Sequence, residues 1–325
     1  MKYRKLGKQD WNVSEIGFGA WAIGGSWGRQ SDSDSLKAMH KALELGVNFI
    51  DTAAGYGDGR SERLIGKLLR ETRGNKIYVA TKTPPDTGRW PPFPHDKWQD
   101  RYSEKHIRQN VETRLKNLGV ECLDVLQLHT WTRAWNGDPK PFEILRKLQK
   151  EGKLRLVGIS TPEHDQNSVI DLMRGGWVDV VQVIYNIFEQ EPAAQLLPVA
   201  REKGVGIIVR VAFDEGSLTG RFTKQTVFEA DDFRRNYFAG DRLDRAVDRA
   251  EKVKAEIAGS GYTMPQAALK FALADDAVST VIAGIRNEAQ AQMNCTVSEL
   301  PDMPMELQKK LWGHHWQRAF WFSGK

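Results

Sequence analysis

Short apolar runs rich in Val, Ile and Leu alternate along this chain with longer stretches in which apolar residues recur every three or four positions. The runs begin near residues 16, 47, 77, 123, 154, 179, 205 and 278. They show little of the polar alternation expected of a strand with one face in water, so they read as strands buried on both faces. Between them, Leu36, Met39, His40 and Leu43 mark the inner face of one predicted helix, and Ile107, Val111, Leu115 and Leu118 that of another. Ser31 or Ser33 is placed to cap the first, Ser103 the second, and Gly46 to end the first. Buried strands alternating with amphipathic helices are parallel βα units. Eight of them in one chain predict an α/β fold of the closed (β/α)8 TIM-barrel type rather than an open doubly wound sheet. Ahead of the first unit, Tyr3-Arg4-Lys5-Leu6, a turn at 7–10 and Trp11-Asn12-Val13 read as a β-hairpin. Segments 83–102, 130–139 and 212–242 are long for connections and predict large loops at the mouth of the barrel. No linker divides the chain, so 1–325 is expected to be a single barrel domain, with the tail 301–325 lying over the barrel.

The ends of the runs carry chemistry. Asp51 ends the second, Lys82 the third, His129 the fourth and Ser160 the fifth, and Tyr56 follows Asp51 in a glycine-punctuated loop. In a (β/α)8 barrel the C-terminal ends of the strands converge on one mouth. Each residue has an ordinary reading when taken singly; a strand closed by Asp, for example, is a common turn start. Together they form a proton-transfer set. A tyrosine titrates near ~10, too high for efficient acid–base work at neutral pH. A neighbouring Lys lowers that value, an Asp keeps the Lys charged, and a His can hydrogen-bond a substrate oxygen. Such a set suits donation of a proton to a carbonyl oxygen as the carbon receives a hydride, or the reverse. His40, on a helix face, is read as structural.

Composition narrows the choice. Lys+Arg 47 against Asp+Glu 42 gives a net charge of +5, scattered among acids as in Asp241-Arg242-Leu243-Asp244-Arg245, so no nucleic-acid stripe is expected. Cys122 and Cys295 stand apart without a CxxC pattern, and there is neither an apolar leader nor an 18-residue apolar run. The expectation is a soluble cytoplasmic protein with free thiols and no membrane partner. No metal-ligand motif is present, His314-His315 being adjacent, so no metal is expected. The glycines of Gly17-Phe18-Gly19 to Gly24 imitate a dinucleotide fingerprint, but the spacing is wrong and no helix follows. Trp21, Trp27, Trp90, Trp98 and Trp131 fall in the predicted mouth loops and are expected to line a substrate pocket, with Phe93 and Trp135 nearby. Trp312, Trp316, Phe320, Trp321 and Phe322 of the tail could close over it.

Residues 48–57 with Ser61-Glu62 and Gly66, Lys82 after a β-run, and Asp124-Val125-Leu126-Gln127-Leu128-His129 resemble the motifs of the aldo-keto reductase family, and the likeness runs from the hairpin to the tail. The resemblance implies a barrel closed at its bottom by the hairpin and a nicotinamide cofactor bound without a Rossmann domain. It implies Tyr56 as proton donor, Asp51 and Lys82 tuning it, and His129 orienting a small-molecule carbonyl substrate. It further implies that Ser160 and Gln182 hold the nicotinamide carboxamide, with Thr161 in place of a second partner, and that Arg210 stands where an aromatic commonly stacks on the ring. Gly216, Ser217, Leu218 and Gly220 would cross the pyrophosphate. Gly284, Arg286, Gln290 and Asn294 would take the adenosine end, with Arg286 favouring NADP(H) through a 2′-phosphate. The aromatic walls favour a bulky aromatic or sugar-like carbonyl. Alternatives within this fold are an NADPH-binding sensor that couples to a partner, as in potassium-channel β subunits, and a sugar or glycoside dehydrogenase. A metal-dependent barrel hydrolase is disfavoured by the missing ligand clusters.

Overall fold

Within each barrel strand, alternation decides which side chains face the helices and which face the barrel axis. The structure, a computed structural model, describes residues 1–25 and 27–317. Strands β1 (Tyr3–Lys5) and β2 (Asn12–Ser14) form an antiparallel hairpin. Strands β3 (Ile16–Gly19), β4 (Phe49–Asp51), β5 (Tyr78–Thr83), β6 (Leu123–Leu128), β7 (Leu154–Ser160), β8 (Val180–Ile184), β9 (Gly206–Arg210) and β10 (Val278–Gly284) close into a parallel barrel. β10 pairs back with β3, Val281 opposite Ile16 through Gly284 opposite Gly19. Ile50, Val79, Leu126, Val157, Val181, Ile207 and Val281 pack outward into the layer shared with the helices. Their alternates, Phe49, Tyr78, Ala80, Val125, Leu156, Val180, Ile208 and Ile282, fill the interior together with Leu6 and Val13 of the hairpin.

The hairpin therefore plugs the N-terminal end of the barrel. Trp11 stacks on Tyr78 with ring centroids 4.5 Å apart. The Arg4 guanidinium donates to the carbonyls of Leu273 (2.8 Å) and Val278 (3.1 Å) and to Glu15 Oε2 (3.1 Å). The opposite end stays open, and all the long connections gather there.

Ser31 and Ser103 cap helices Asp32–Glu44 and Glu104–Leu118 by accepting from Asp34 N (3.0 Å) and His106 N (3.2 Å). The first helix is rotated from the expected face. Ser35, Ala38, Met39 and Ala42 are its buried residues, because these mostly small side chains let it lie close against helix Glu288–Cys295. His40 instead pairs with Glu71 on the neighbouring helix, at 2.8 Å. The tail, as far as it is described, packs helix Met305–Trp312 against helix Arg242–Ile257 and ends on the loop after β8. Trp316 is buried against Phe188, donates its backbone N–H to the Phe188 carbonyl (2.9 Å), and lies under the Arg249 guanidinium. Trp312 is exposed, and Phe320, Trp321 and Phe322 fall outside the described residues. Among the described residues no helix is long and apolar enough to cross a membrane.

The plug depends on Gly7, whose φ of +59° is left-handed and whose missing Cβ leaves room for the backbone of Val205, 2.8 Å from where that atom would sit. Gly7→Ala is expected to lower the unfolding free energy by about 2 kcal/mol through strain and collision together, which urea denaturation measures.

Candidate active site

The same inward alternation continues past the apolar interior, where the side chains become polar. Asp51, Lys82, Gln127, Ser160, Gln182 and Arg210 sit on the inward parity of β4 to β9, and His129 continues that of β6 one residue beyond its end. The Lys82 ammonium is fully buried. It donates to Asp51 Oδ2 (2.6 Å), to the Thr52 carbonyl (2.8 Å) and to the Tyr56 hydroxyl (3.3 Å), so every N–H has an acceptor. Asp51 Oδ1 accepts from Gln182 Nε2 (2.6 Å) and, more weakly, from Gln127 Nε2 (3.4 Å). A buried ion pair loses much hydration, and this one is tolerable because its remaining lone pairs and protons are used. The His129 ring lies 6.1 Å from that of Tyr56, centroid to centroid, and meets Trp90 edge to face at 4.8 Å.

Tyr56 is carried by a loop that the sequence anchors at both ends. Thr52 Oγ1 donates to Ser61 Oγ (2.8 Å), and Ser61 Oγ donates to the Ala20 carbonyl (3.1 Å). Glu62, fully buried, accepts from Thr81 Oγ1 (2.7 Å) and Asn117 Nδ2 (2.8 Å) and pairs with Arg114 at 2.7 Å. Ser61-Glu62 thus ties the start of helix Arg60–Glu71 to β5, one residue before Lys82. The glycine-rich turn after β3 presses on the same loop; a Cβ on Gly24 would lie 2.7 Å from the Tyr56 backbone. Gly24 thus serves close packing.

Burial sets the protonation states. It pushes the Tyr56 phenol above its ordinary value, outweighing the downward pull of Lys82 that the sequence pattern anticipates, while Asp51 adds to the rise. Burial, reinforced by Lys82 and Arg210, holds His129 well below 6.5. Tyr56 is therefore a protonated phenol and His129 a neutral imidazole at pH 7.

These groups open into a cavity of about 700 Å³. Ser160, Gln182, Arg210, Gly216, Gly284, Arg286, Gln290 and Asn294 line it, as do Trp21, Trp27 and Trp90. Ser217, Leu218 and Gly220 turn no side chain into it, although their neighbours Gly216, Thr219 and Arg221 line it. The Ser217 hydroxyl donates to Asp214 (2.6 Å), Leu218 is packed in the core, and Gly220 follows the kinked turn Asp214–Thr219 with φ +70°. Trp98 and Trp131 are loop pins rather than pocket walls. Trp98 donates its indole N–H to Asp138 (2.8 Å). Trp131 is buried against Trp135 and Phe142 and donates to Asn136 (2.8 Å). Thr161 is also turned away; its hydroxyl donates to Gln166 Oε1 (2.6 Å). Arg210, by contrast, points inward, donates to the Thr161 carbonyl (3.0 Å) and lies 3.6 Å from Glu163.

Gln127 was legible but missed; it shares the inward parity of Val125 and His129. Phe233 and Arg234 carried no such signal, because segment 212–242 has no periodicity. In the fold this segment crosses the mouth to meet the loop after β3. Phe233 packs on Trp21 (4.6 Å) and Trp27 (5.4 Å), and Arg234 covers Trp27 while paired with Asp232.

Several buried polar atoms of the lining have no protein partner: the acceptors Gln182 Oε1 and Asn294 Oδ1 and the donor Arg210 Nε. Arg221, Arg234 and Arg286 add three guanidinium groups, and helix Glu288–Cys295 begins there, capped by Asn287. Arg286 is oriented by Gln30 Oε1 (3.0 Å) and the Arg29 carbonyl (2.6 Å). This wall fits an anionic ligand with amide or amine donors at its ends, as a nicotinamide adenine dinucleotide has.

The comparisons agree with that fit. The chain is 31% identical over 242 residues to aldo-keto reductase YhdN of Bacillus subtilis (strain 168), covering 72% of this chain and 69% of that protein. It is 28% identical over 309 residues to the NADH-specific methylglyoxal reductase of Escherichia coli (strain K12), covering 90% and 92%. The solved glycerol dehydrogenase AKR11B4 from Gluconobacter oxydans superposes with a TM-score of 0.78 at 27% identity, covering 95% of this chain and 94% of that one. With the model of the aldo/keto reductase family matched over residues 15–312 and the closed barrel in place, this chain belongs to that family of oxidoreductases, whose members use nicotinamide cofactors.

Proposed function

We propose that the protein reduces an aldehyde or ketone to the alcohol with NADPH, Tyr56 delivering the proton. The observation that carries this reading is the Tyr56 hydroxyl, 3.3 Å from the buried, Asp51-paired ammonium of Lys82 and opening on the cavity. When bound, the reduced nicotinamide supplies a hydride to the carbonyl carbon. Neutral His129 orients the carbonyl oxygen. Tyr56 donates its proton to that oxygen as negative charge develops there, and Lys82 stabilises the phenolate left behind. Asp51 keeps Lys82 charged and in place, and Gln127 and Gln182 keep Asp51 in place.

On this reading Ser160 and the free Oε1 of Gln182 take the carboxamide. Gly216, Ser217, Leu218 and Gly220 contribute backbone beside the pyrophosphate. Gly284, Gln290 and Asn294 take the adenosine, and Arg286 the 2′-phosphate. A family that includes a reductase named NADH-specific does not dictate the cofactor, so the NADPH preference rests on Arg286. Trp21, Trp27 and Trp90 provide flat apolar walls, which supports an aromatic or sugar-like carbonyl as substrate. The same groups catalyse alcohol oxidation in reverse, the direction named for the Gluconobacter oxydans relative.

Tyr56→Phe is expected to lower kcat by about 10²–10⁴-fold while NADPH still quenches tryptophan fluorescence. Loss of NADPH absorbance is the assay, and aromatic aldehydes should be turned over in preference to short aliphatic ones. The rate of reduction should stay level through the neutral range and fall only above the ordinary tyrosine value of 10.0, because the reactive form is the phenol and burial raises its pKa. An acid limb centred on 6.5 would contradict the neutral His129. Arg286→Ala should reduce the preference for NADPH over NADH by about tenfold or more, the loss of one charge-assisted phosphate contact, measured as the ratio of kcat/KM for the two cofactors.

A further inference from the structure

Two cations act on Tyr56 and His129, Lys82 from beneath the cavity and Arg210 from its wall, which Glu163 shares. They are compensated differently. The Lys82 ammonium has a carboxylate 2.6 Å away and two further acceptors. Arg210 has the Thr161 carbonyl at 3.0 Å and Glu163 only at 3.6 Å, and its Nε is buried with no partner. Its side chain leaves the end of β9 and reaches the loop after β7, crossing over β8, the strand that carries Gln182. The side chains of Arg210 and Glu163 are 16% and 18% exposed, so solvent screens them weakly.

A hydride acceptor carbon is bonded to the oxygen that Tyr56 protonates, and reacting atoms must come within about 3–3.5 Å of each other. The nicotinamide ring is thereby confined to the neighbourhood of Tyr56, in the cavity that Arg210 and Glu163 also line. That ring is neutral when reduced and carries one positive charge when oxidised. A fixed guanidinium beside it raises the free energy of the oxidised form alone, and a carboxylate beside the guanidinium reduces that effect.

We propose that Arg210 and Glu163 together set how strongly the site discriminates between reduced and oxidised cofactor, Arg210 disfavouring the oxidised ring and Glu163 limiting the penalty. The pair makes oxidised cofactor the weaker ligand, which favours its release and reloading with the reduced form, and so biases the enzyme toward carbonyl reduction. The inference rests on reading this cavity as the nicotinamide site.

The test is equilibrium binding, by calorimetry or tryptophan quenching, of NADPH and NADP⁺, and of NADH and NAD⁺, to the wild type and to Arg210→Met, Arg210→Lys and Glu163→Gln. Each oxidised and reduced pair shares its adenosine and pyrophosphate, so the ratio of their Kd values cancels losses of affinity or folded fraction common to both. The Kd(NADP⁺)/Kd(NADPH) ratio should fall by about tenfold in Arg210→Met, stay near the wild-type value in Arg210→Lys, and rise by about threefold in Glu163→Gln. Ratios that are equal across the variants overturn the proposal. Absence of binding by all four dinucleotides to the wild type overturns the nicotinamide reading itself.

Discussion

A lysine ammonium and an aspartate carboxylate 2.6 Å apart, both closed off from water, are the constraint on which the rest of this structure turns. Two charges brought out of water lose several kcal/mol each unless their other hydrogen-bonding positions are filled. Here the fillers come from separate strands: the Thr52 carbonyl after β4, Gln127 from β6 and Gln182 from β8. No local segment could assemble them. The pair is stable only where the barrel is closed and its axis is dry, and the hairpin plug with its layer of apolar side chains keeps the other end sealed.

The Tyr56 hydroxyl belongs to the same arrangement as the third acceptor of that ammonium. Its loop is held from below by Ser61 and Glu62 and from the side by Gly24, so its distance from Lys82 is set by the backbone and not left to a mobile side chain. Above it the wall is aromatic. Trp21, Trp27 and Phe233 form an aromatic clasp between two loops far apart in sequence, with Arg234 covering its edge. A hydrogen-bonded polar floor thus lies under an aromatic roof drawn from two distant loops.

Electrostatics in the mouth follow from burial more than from neighbouring charge. Lys82 alone would draw the Tyr56 pKa down, yet desolvation carries it up, which leaves the phenol protonated at neutral pH. His129 is kept neutral by the same desolvation and by two cations, Lys82 and Arg210.

Alternation and spacing along the chain were enough to determine the eight buried strands, the hairpin, the Ser103 cap and the convergence of Asp51, Tyr56, Lys82 and His129, while the choice of Ser31 over Ser33 waited on the fold. Each of these depends on local periodicity or on the rule that strand ends meet at one mouth. Gln127 was readable by the same period of two. The tertiary structure alone decided that Trp98 and Trp131 pin loops while Trp90 faces the cavity. All three are indoles in stretches without apolar periodicity, and only packing separates an indole N–H that has found a partner from an open aromatic face. It also decided that Arg210 turns inward to Thr161 and Glu163, and that segment 212–242 crosses the mouth. Those outcomes depend on contacts between distant loops, which leave no periodic trace in a single chain.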